Sequence, residues 1–270
     1  MREGPTMNIA LIGYGKMGHE VEALATRQGH RIVAKCDPLA EGRTSPVISE
    51  EALHDAAVCI EFTSPTAVLG NIRQTALLRK SLVVGTTGWT DHLTDVEILV
   101  REQQIGLVYA PNFSLGVNLF YRIAARAAEL FNRFEEYDVF GSEIHHRHKA
   151  DSPSGTARRL AAIVLDNFAR KKRMVTGMMD RPIAPDEFLL TSARAGEFPG
   201  IHSLTFDSLA DTIELTHTVR SRTGFARGAL LAAEWIAQRT GIFSFEEILD
   251  ELLGPDLAQS GGASFGHLKE

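Results

Sequence analysis

Short apolar runs separated by longer amphipathic stretches mark the first part of the chain. Residues 7–12 form one such run, broken only by Asn8, and it stops at a glycine cluster. The stretch that follows, as far as Gln28, carries Met17, Val21, Leu24 and Ala25 at helical spacing. Strand, tight turn and helix are predicted in that order. Residues 32–34, 58–60, 82–84 and 107–109 repeat the apolar run, with room between them for helices or loops. Strands alternating with connections of this length form a parallel sheet, because neighbouring parallel strands cannot be joined by a tight turn.

From Gly116 the pattern changes. Phe120, Ile123, Ala124, Ala127, Phe131 and Phe134 predict one long helix with a continuous apolar stripe. Strand-like segments follow at 137–146, 189–193, 203–206 and 212–219, with a helical insertion at 154–171, so a second domain with a mixed sheet is expected. Residues 225–239 and 243–253 are again helical and are expected to pack back on the first domain.

Composition narrows what such a chain can do. Its 270 residues suit two modest domains, and 44% hydrophobic against 23% charged residues is ordinary globular usage. The formal net charge is -6, and no window clusters Lys and Arg with interleaved aromatics, which argues against a nucleic-acid partner. No apolar run approaches the ~18 residues that span a bilayer, and residues 1–6 lack the apolar stretch of a signal peptide, so no membrane association and a cytoplasmic location are expected. Cys36 and Cys59 lie inside apolar runs and are predicted to be buried small hydrophobes.

Gly13-Tyr14-Gly15-Lys16-Met17-Gly18 is a GxGxxG directly after a strand and opening a helix. The first glycine permits the tight turn, the second lets the backbone approach a pyrophosphate, and the third lets helix and strand pack closely. The helix N-terminus then faces the phosphate charge. Asp37 ends the second strand, where a carboxylate hydrogen-bonds the adenine ribose. Gly85, Thr86 and Thr87 follow one strand, and Ala110, Pro111, Asn112 and Phe113 follow another. Both segments lie where open parallel sheets bind ligands, and small residues at the first suit a nicotinamide ribose. The expected cofactor is NADH, NADPH or both, since Asp37 favours a free 2'-hydroxyl while Lys16, Lys35 or Arg43 would accommodate a 2'-phosphate.

The densest polar cluster runs from Glu143 to Asp151 and holds His145, His146, His148 and Lys149. His146 and His148 would share one face of a strand, yet no Cys or His pair elsewhere shows ligand spacing, so no metal is assigned. Ser154, Gly155 and Thr156 open the next helix, where backbone N–H groups and hydroxyls can hold a carboxylate. Titratable histidines and a lysine beside an anion-ready helix start suit an anionic substrate reduced with proton supply.

Residues 143–157 resemble, position for position, the signature E-x-H-H-x-x-K-x-D-x-P-S-G-T-A of 4-hydroxy-tetrahydrodipicolinate reductases. The likeness extends to Lys16-Met17-Gly18, Gly85-Thr86-Thr87-Gly88, Ala110-Pro111-Asn112-Phe113, Arg194-Ala195-Gly196, Gly200 and His202. It implies a two-domain α/β protein: an N-terminal Rossmann dinucleotide-binding domain with a parallel sheet over 7–116, completed by 228–256; an α+β substrate-binding and oligomerisation domain with a mixed sheet over 117–227; and a flexible tail at 257–270. It further implies His145 as proton donor or acceptor, Lys149 as second proton donor or charge partner, His146 as a substrate ligand, and Ser154, Gly155 and Thr156 as holders of a substrate carboxylate. The implied substrate is a small dianionic cyclic imine, reduced by NAD(P)H with loss of water in lysine biosynthesis, in a homotetramer whose domains close over it. Two departures stand out: the loop from Gly13 to Gly18 is one residue shorter than in many members, and Glu61 stands where the family often has Asp. Two other functions share parts of this plan, a related NAD(P)-dependent diamino-acid dehydrogenase and a non-catalytic dinucleotide sensor.

Overall fold

A computed structural model describes residues 6–254 apart from Met178; the tail expected at 257–270 lies outside the described residues. In chain order the elements are β1 (Asn8–Ile12), α1 (Lys16–Arg27), β2 (Arg31–Cys36), α2 (Glu50–Leu53), β3 (Val58–Glu61), α3 (Val68–Leu77), β4 (Ser81–Val84), α4 (Leu93–Gln103) and β5 (Gly106–Tyr109). Then come α5 (Leu115–Phe131), β6 (Asp138–His145), α6 (Gly155–Asn167), β7 (Arg173–Thr176), β8 (Glu187–Arg194), β9 (Ile201–Asp207) and β10 (Thr212–Thr218). The described residues finish with α7 (Thr223–Ile236), β11 (Gly241–Ser244) and α8 (Phe245–Leu253). Two compact units result among the described residues, 6–115 with 222–254, and 116–221.

The first unit is a six-stranded sheet in the order β11-β5-β4-β3-β1-β2, with every pairing parallel. Alternation along β1 explains why it is covered on both faces. Ile9 and Leu11 join Val21 and Ala25 of α1 and Ala229, Leu230 and Ala233 of α7 in one core. Ala10 and Ile12 join Val68, Ile72 and Ala76 of α3 and Val96 and Val100 of α4 in the other. Parallel strands buried on both sides read as unbroken apolar runs, which is how they stood out in the sequence. Cys36 and Cys59 are buried free thiols, as expected, and burial pushes them up to about 11 and about 12 respectively.

Three local expectations need correction. Residues 243 and 244 are not part of a helix: Gly241, at φ +120°, turns the chain into β11, a sixth strand pairing with β5, and α8 begins only at Phe245. Ser244 and Glu247 form a reciprocal capping box there, a start signal already present in the spelling S-x-x-E. The stripe on α5 is narrower than expected: Phe120, Ala124 and Ala128 are buried, but Ile123 is 54% exposed and Phe134 lies past the helix end. Finally, β6 stops at His145, so His146 and His148 occupy a turn and share no strand face.

The second unit has five strands in the order β10-β9-β6-β8-β7. β6 runs antiparallel to β9 and parallel to β8, so the sheet is mixed. Val139, Phe188, Leu190, Leu204 and Phe206 turn one face toward Phe120 and Ala124 of α5, Leu160 and Val164 of α6, and Phe168 just past the end of α6. The short strand β7 was not foreseen; four residues of mixed polarity carry little periodic signal.

Candidate active site

In the first unit the glycine loop closes tightly on itself. Gly13 adopts φ +90°, and a Cβ there would lie 2.1 Å from the Phe62 carbonyl oxygen, so no other residue fits. A Cβ on Gly18 would stand 2.6 Å from the Gly13 oxygen, which is the close packing of helix on loop. Gly15 differs: nothing lies within 4 Å of its Cβ position, and as N-cap of α1 it supplies no side chain to the first-turn N–H groups. An open glycine in front of an uncapped helix start fits a dinucleotide pyrophosphate. Lys16 at that start is exposed.

Asp37 sits at the end of β2 with its carboxylate in use. Oδ2 accepts from the Tyr14 N–H at 2.8 Å, and Oδ1 accepts from the N–H groups of Leu39 and Ala40, each at 2.8 Å. Burial would raise its pKa, but these three backbone bonds outweigh that and hold the carboxyl below its ordinary value. Tyr14 is buried, and its hydroxyl donates to Glu22. Lys35 lies over the Tyr14 ring and pairs with Glu22 at 3.3 Å, so its charge is already matched.

The two later segments divide their work. Met17, Gly85, Ala110, Pro111, Asn112 and Phe113 line one hollow of about 240 Å³ with Phe62, Arg222 and Phe225, three residues the sequence did not single out. A larger hollow of about 690 Å³, between α4 and β11, holds none of the expected site residues. Gly85 is small for a neighbour's sake, since its Cβ would fall 2.0 Å from the Phe62 ring. Thr86 is buried, its hydroxyl accepting from the Thr63 N–H at 2.7 Å, while Thr87 is exposed. Phe113 is a core residue packed on Phe245. Glu61 is fully buried beneath them, bonded to Thr63 and Asn71, and burial raises its pKa.

In the second unit strand register builds the site. Glu143 on β6 pairs with Ser192 on β8 and His202 on β9, and His145 pairs with Arg194. Because side chains alternate along a strand, all five occupy the face that carries Val139 and Leu190 further along, with α6 starting above them. Glu143 Oε1 accepts from the Ser154 N–H at 2.8 Å, the Ser192 hydroxyl at 2.8 Å and Arg194 at 2.9 Å. Its Oε2 lies 3.0 Å from His145 Nδ1 and 3.6 Å from His202 Nε2, without the alignment of a hydrogen bond. Burial alone would raise the Glu143 carboxyl, yet the bonds from Ser154, Arg194 and Ser192 prevail and bring it to about 2. Burial drives His202 down to about 4 and also lowers His145.

Glu143, His145 and His202 offer three ligand atoms within 4.8 Å, close enough for a metal ion. Arg194 already supplies the counter-charge to that carboxylate, so the cluster is explained as a hydrogen-bonded ionic network. Lys149 pairs with Asp151 at 2.7 Å. Ser154 is buried, and its hydroxyl caps α6 through the Ala157 N–H and meets His202 Nε2 at 3.3 Å. Gly155 is exposed with nothing near its Cβ position, Thr156 is half-buried, and His146 is half-buried just past the strand end. Ser154 therefore braces the site from within, leaving Gly155 and Thr156 at the accessible helix start. Glu143, Ser192, Arg194 and His202 are the members that local sequence reasoning left without a role.

A glycine loop at the carboxyl edge of a parallel sheet, in one chain with a mixed-sheet unit bearing a buried histidine–carboxylate–arginine network, defines a nicotinamide-dinucleotide-dependent oxidoreductase. The model for the dihydrodipicolinate reductase N-terminus matches residues 7–113 and that for the C-terminus residues 116–249. The chain belongs to the dihydrodipicolinate reductase family, whose members use NADH or NADPH. It is 38% identical over 248 residues to the 4-hydroxy-tetrahydrodipicolinate reductase of Christiangramia forsetii, covering 91% of this chain and 99% of that protein. It is 34% identical over 270 residues to the enzyme of the same name from Chromobacterium violaceum, covering 90% and 98%. Among solved structures, a dipicolinate-bound dihydrodipicolinate reductase from Paenisporosarcina sp. TG-14 superposes with TM-score 0.72 at 23% identity, over 90% of this chain and 100% of that one, which supports the fold. No described helix is long and apolar enough to cross a membrane.

Proposed function

We propose that the chain reduces 4-hydroxy-tetrahydrodipicolinate to tetrahydrodipicolinate with loss of water, using NADH or NADPH, in lysine biosynthesis through diaminopimelate. The observation that carries the proposal is His145 held beside Glu143 and Arg194, with Lys149 and the open start of α6 in the same short segment. The reduced nicotinamide, when bound, supplies hydride. Its pyrophosphate would lie at Gly13, Tyr14, Gly15, Lys16, Met17 and Gly18, its adenine ribose at Asp37, and its nicotinamide end near Gly85, Thr86, Thr87 and Ala110, Pro111, Asn112 and Phe113.

The chain's own residues do the rest. Gly155 and Thr156, braced by Ser154, hold one substrate carboxylate at the positive end of α6. Lys149, exchanging Asp151 for substrate, neutralises negative charge and draws electron density toward the ring nitrogen. His146 orients the substrate, and His145 delivers the proton that completes the reduction.

The first unit serves the dinucleotide and the second the substrate. The uncovered face of the second sheet, where Phe140 is 40% exposed beside Ser142 and Thr205, supports assembly into a homotetramer. A cytoplasmic location accords with a biosynthetic step that needs the cellular nicotinamide pool.

The test is the loss of 340 nm absorbance of NADH, then NADPH, with substrate made fresh from pyruvate and aspartate semialdehyde by the preceding enzyme. Oxidation is expected, with a fall of about 100-fold or more in His145→Gln while dinucleotide binding stays intact. Binding without oxidation would point instead to a sensor.

A further inference from the structure

The proposed reaction leaves a buried ionised group beside His145 without a task. Glu143 has no solvent-exposed side-chain surface, and burying a carboxylate is costly unless its oxygens are matched. Its Oε1 is matched three times over, by Ser154, Ser192 and Arg194. Those bonds suffice to anchor the side chain. Oε2 is left, and it faces His145 Nδ1 at 3.0 Å with His202 Nε2 at 3.6 Å behind it.

The other nitrogen of His145 is open by design of the backbone. A Cβ on Gly200 would stand 3.0 Å from His145 Nε2, so the absence of a side chain at Gly200 keeps that nitrogen uncovered. One ring nitrogen thus meets a fixed carboxylate oxygen, and Gly200 puts no side chain over the other. We propose that Glu143 is the positioning residue of this enzyme: its Oε2 keeps a proton on His145 Nδ1, so that Nε2 is the atom that exchanges protons with substrate. The inference rests on the reaction proposed above.

In the transfer, one proton leaves imidazolium Nε2 for the substrate anion that hydride addition creates. The ring returns to neutral, Nδ1–H stays against Glu143, and water later restores the proton at Nε2. Contacts of this kind are often poorly aligned without substrate and tighten when it binds. The same division of labour, a carboxylate orienting a histidine that does the proton transfer, works in hydrolases of unrelated fold.

The charges facing His145 set the sign of the test. Burial lowers its pKa, Lys149 and Arg194 lower it further, and Glu143 and Asp151 raise it; His202 beside it is neutral near pH 7. Removing the Glu143 charge therefore takes away the largest influence favouring imidazolium. An activity that needs protonated His145 must then fail at lower pH.

The experiment is kcat against pH for wild type, His145→Gln, Glu143→Gln and Glu143→Asp, with dinucleotide affinity followed separately by fluorescence titration. Wild type should show an alkaline limb that His145→Gln lacks. Glu143→Gln should lose about 100-fold in kcat, keep KM within about threefold, and move the limb down by roughly one pH unit. Dinucleotide affinity should not change, and Glu143→Asp should recover part of both kcat and limb position.

A wild-type limb position in Glu143→Gln, or parallel loss of kcat and dinucleotide affinity, would overturn the inference. Should Glu143→Gln not fold, the nitrogen-15 shifts of His145 in wild type at alkaline pH decide: Nδ1 protonated supports the assignment, Nε2 protonated overturns it. No His145-dependent limb in wild type would instead sink the reaction reading and the inference with it.

Discussion

The backbone N–H of Tyr14 donates to the Asp37 carboxylate at 2.8 Å, tying the glycine loop to the end of the second strand. The same carboxylate holds Leu39 and Ala40, so one side chain fixes two loops before any ligand arrives. Asp37→Ala should therefore weaken NADH by about tenfold or more and NADPH by less, because the 2'-phosphate never gained from the carboxylate. It should also lower the melting temperature by a few degrees, through three lost charge-assisted bonds. Fluorescence titration and a thermal scan read the two effects.

His202 makes the fold sensitive to mild acid. Its pKa is about 4 in the folded state, against ~6.5 when unfolded, so the unfolded chain binds more protons between those values. The stability this provides is complete above pH ~6.5, declines as pH falls, and is lost near pH 4, with a span of order 3 kcal/mol. His202→Gln should flatten that slope in urea titrations from pH 7 to 4.5, even if it starts from lower stability. A slope equal to wild type would place the acid sensitivity elsewhere.

Two glycines should respond oppositely to alanine. A Cβ on Gly228 would meet the Phe113 carbonyl oxygen at 1.8 Å, so Gly228→Ala must push α7 off its neighbour and should cost about 3 kcal/mol. Gly155→Ala meets nothing within 4 Å and sits in the first turn of α6, so stability should hold or rise slightly. Its added methyl stands at the proposed carboxylate site, and KM for the substrate should rise several-fold with the dinucleotide KM unchanged. Chemical denaturation and steady-state kinetics separate the two outcomes.

The parts legible in the sequence were those written locally. β1, the glycine loop, α1 and Asp37 follow one another within 30 residues, each with its own spacing or turn signal, and the structure keeps them in that arrangement. Phe243 and Ser244 misled because a four-residue apolar run can begin a helix or form an edge strand, and only pairing with β5 decides between them. The tasks of Glu143, Arg194 and His202 were hidden for a deeper reason. Nothing near Glu143 in sequence indicates that Ser192 and His202 will be its cross-strand partners; that depends on the register of β8 and β9, set by the apolar face as a whole. Histidines stood out by type, while the carboxylate that organises them did not.

The first unit is written in two instalments. Its sheet edge at β5 receives β11, and its core receives α7 and α8, only after the whole second unit has been spelled out. On the ribosome, residues 1–115 would emerge with the β5 edge unpaired and the apolar surface that later meets Ala229, Leu230 and Ile236 still wet. The second unit carries no such debt, since its strands and helices are contiguous in the chain. Nascent molecules should thus acquire a protease-resistant second unit before the first is complete, and residues 223–253, from α7 through α8, act as the clasp that ends the vulnerable interval.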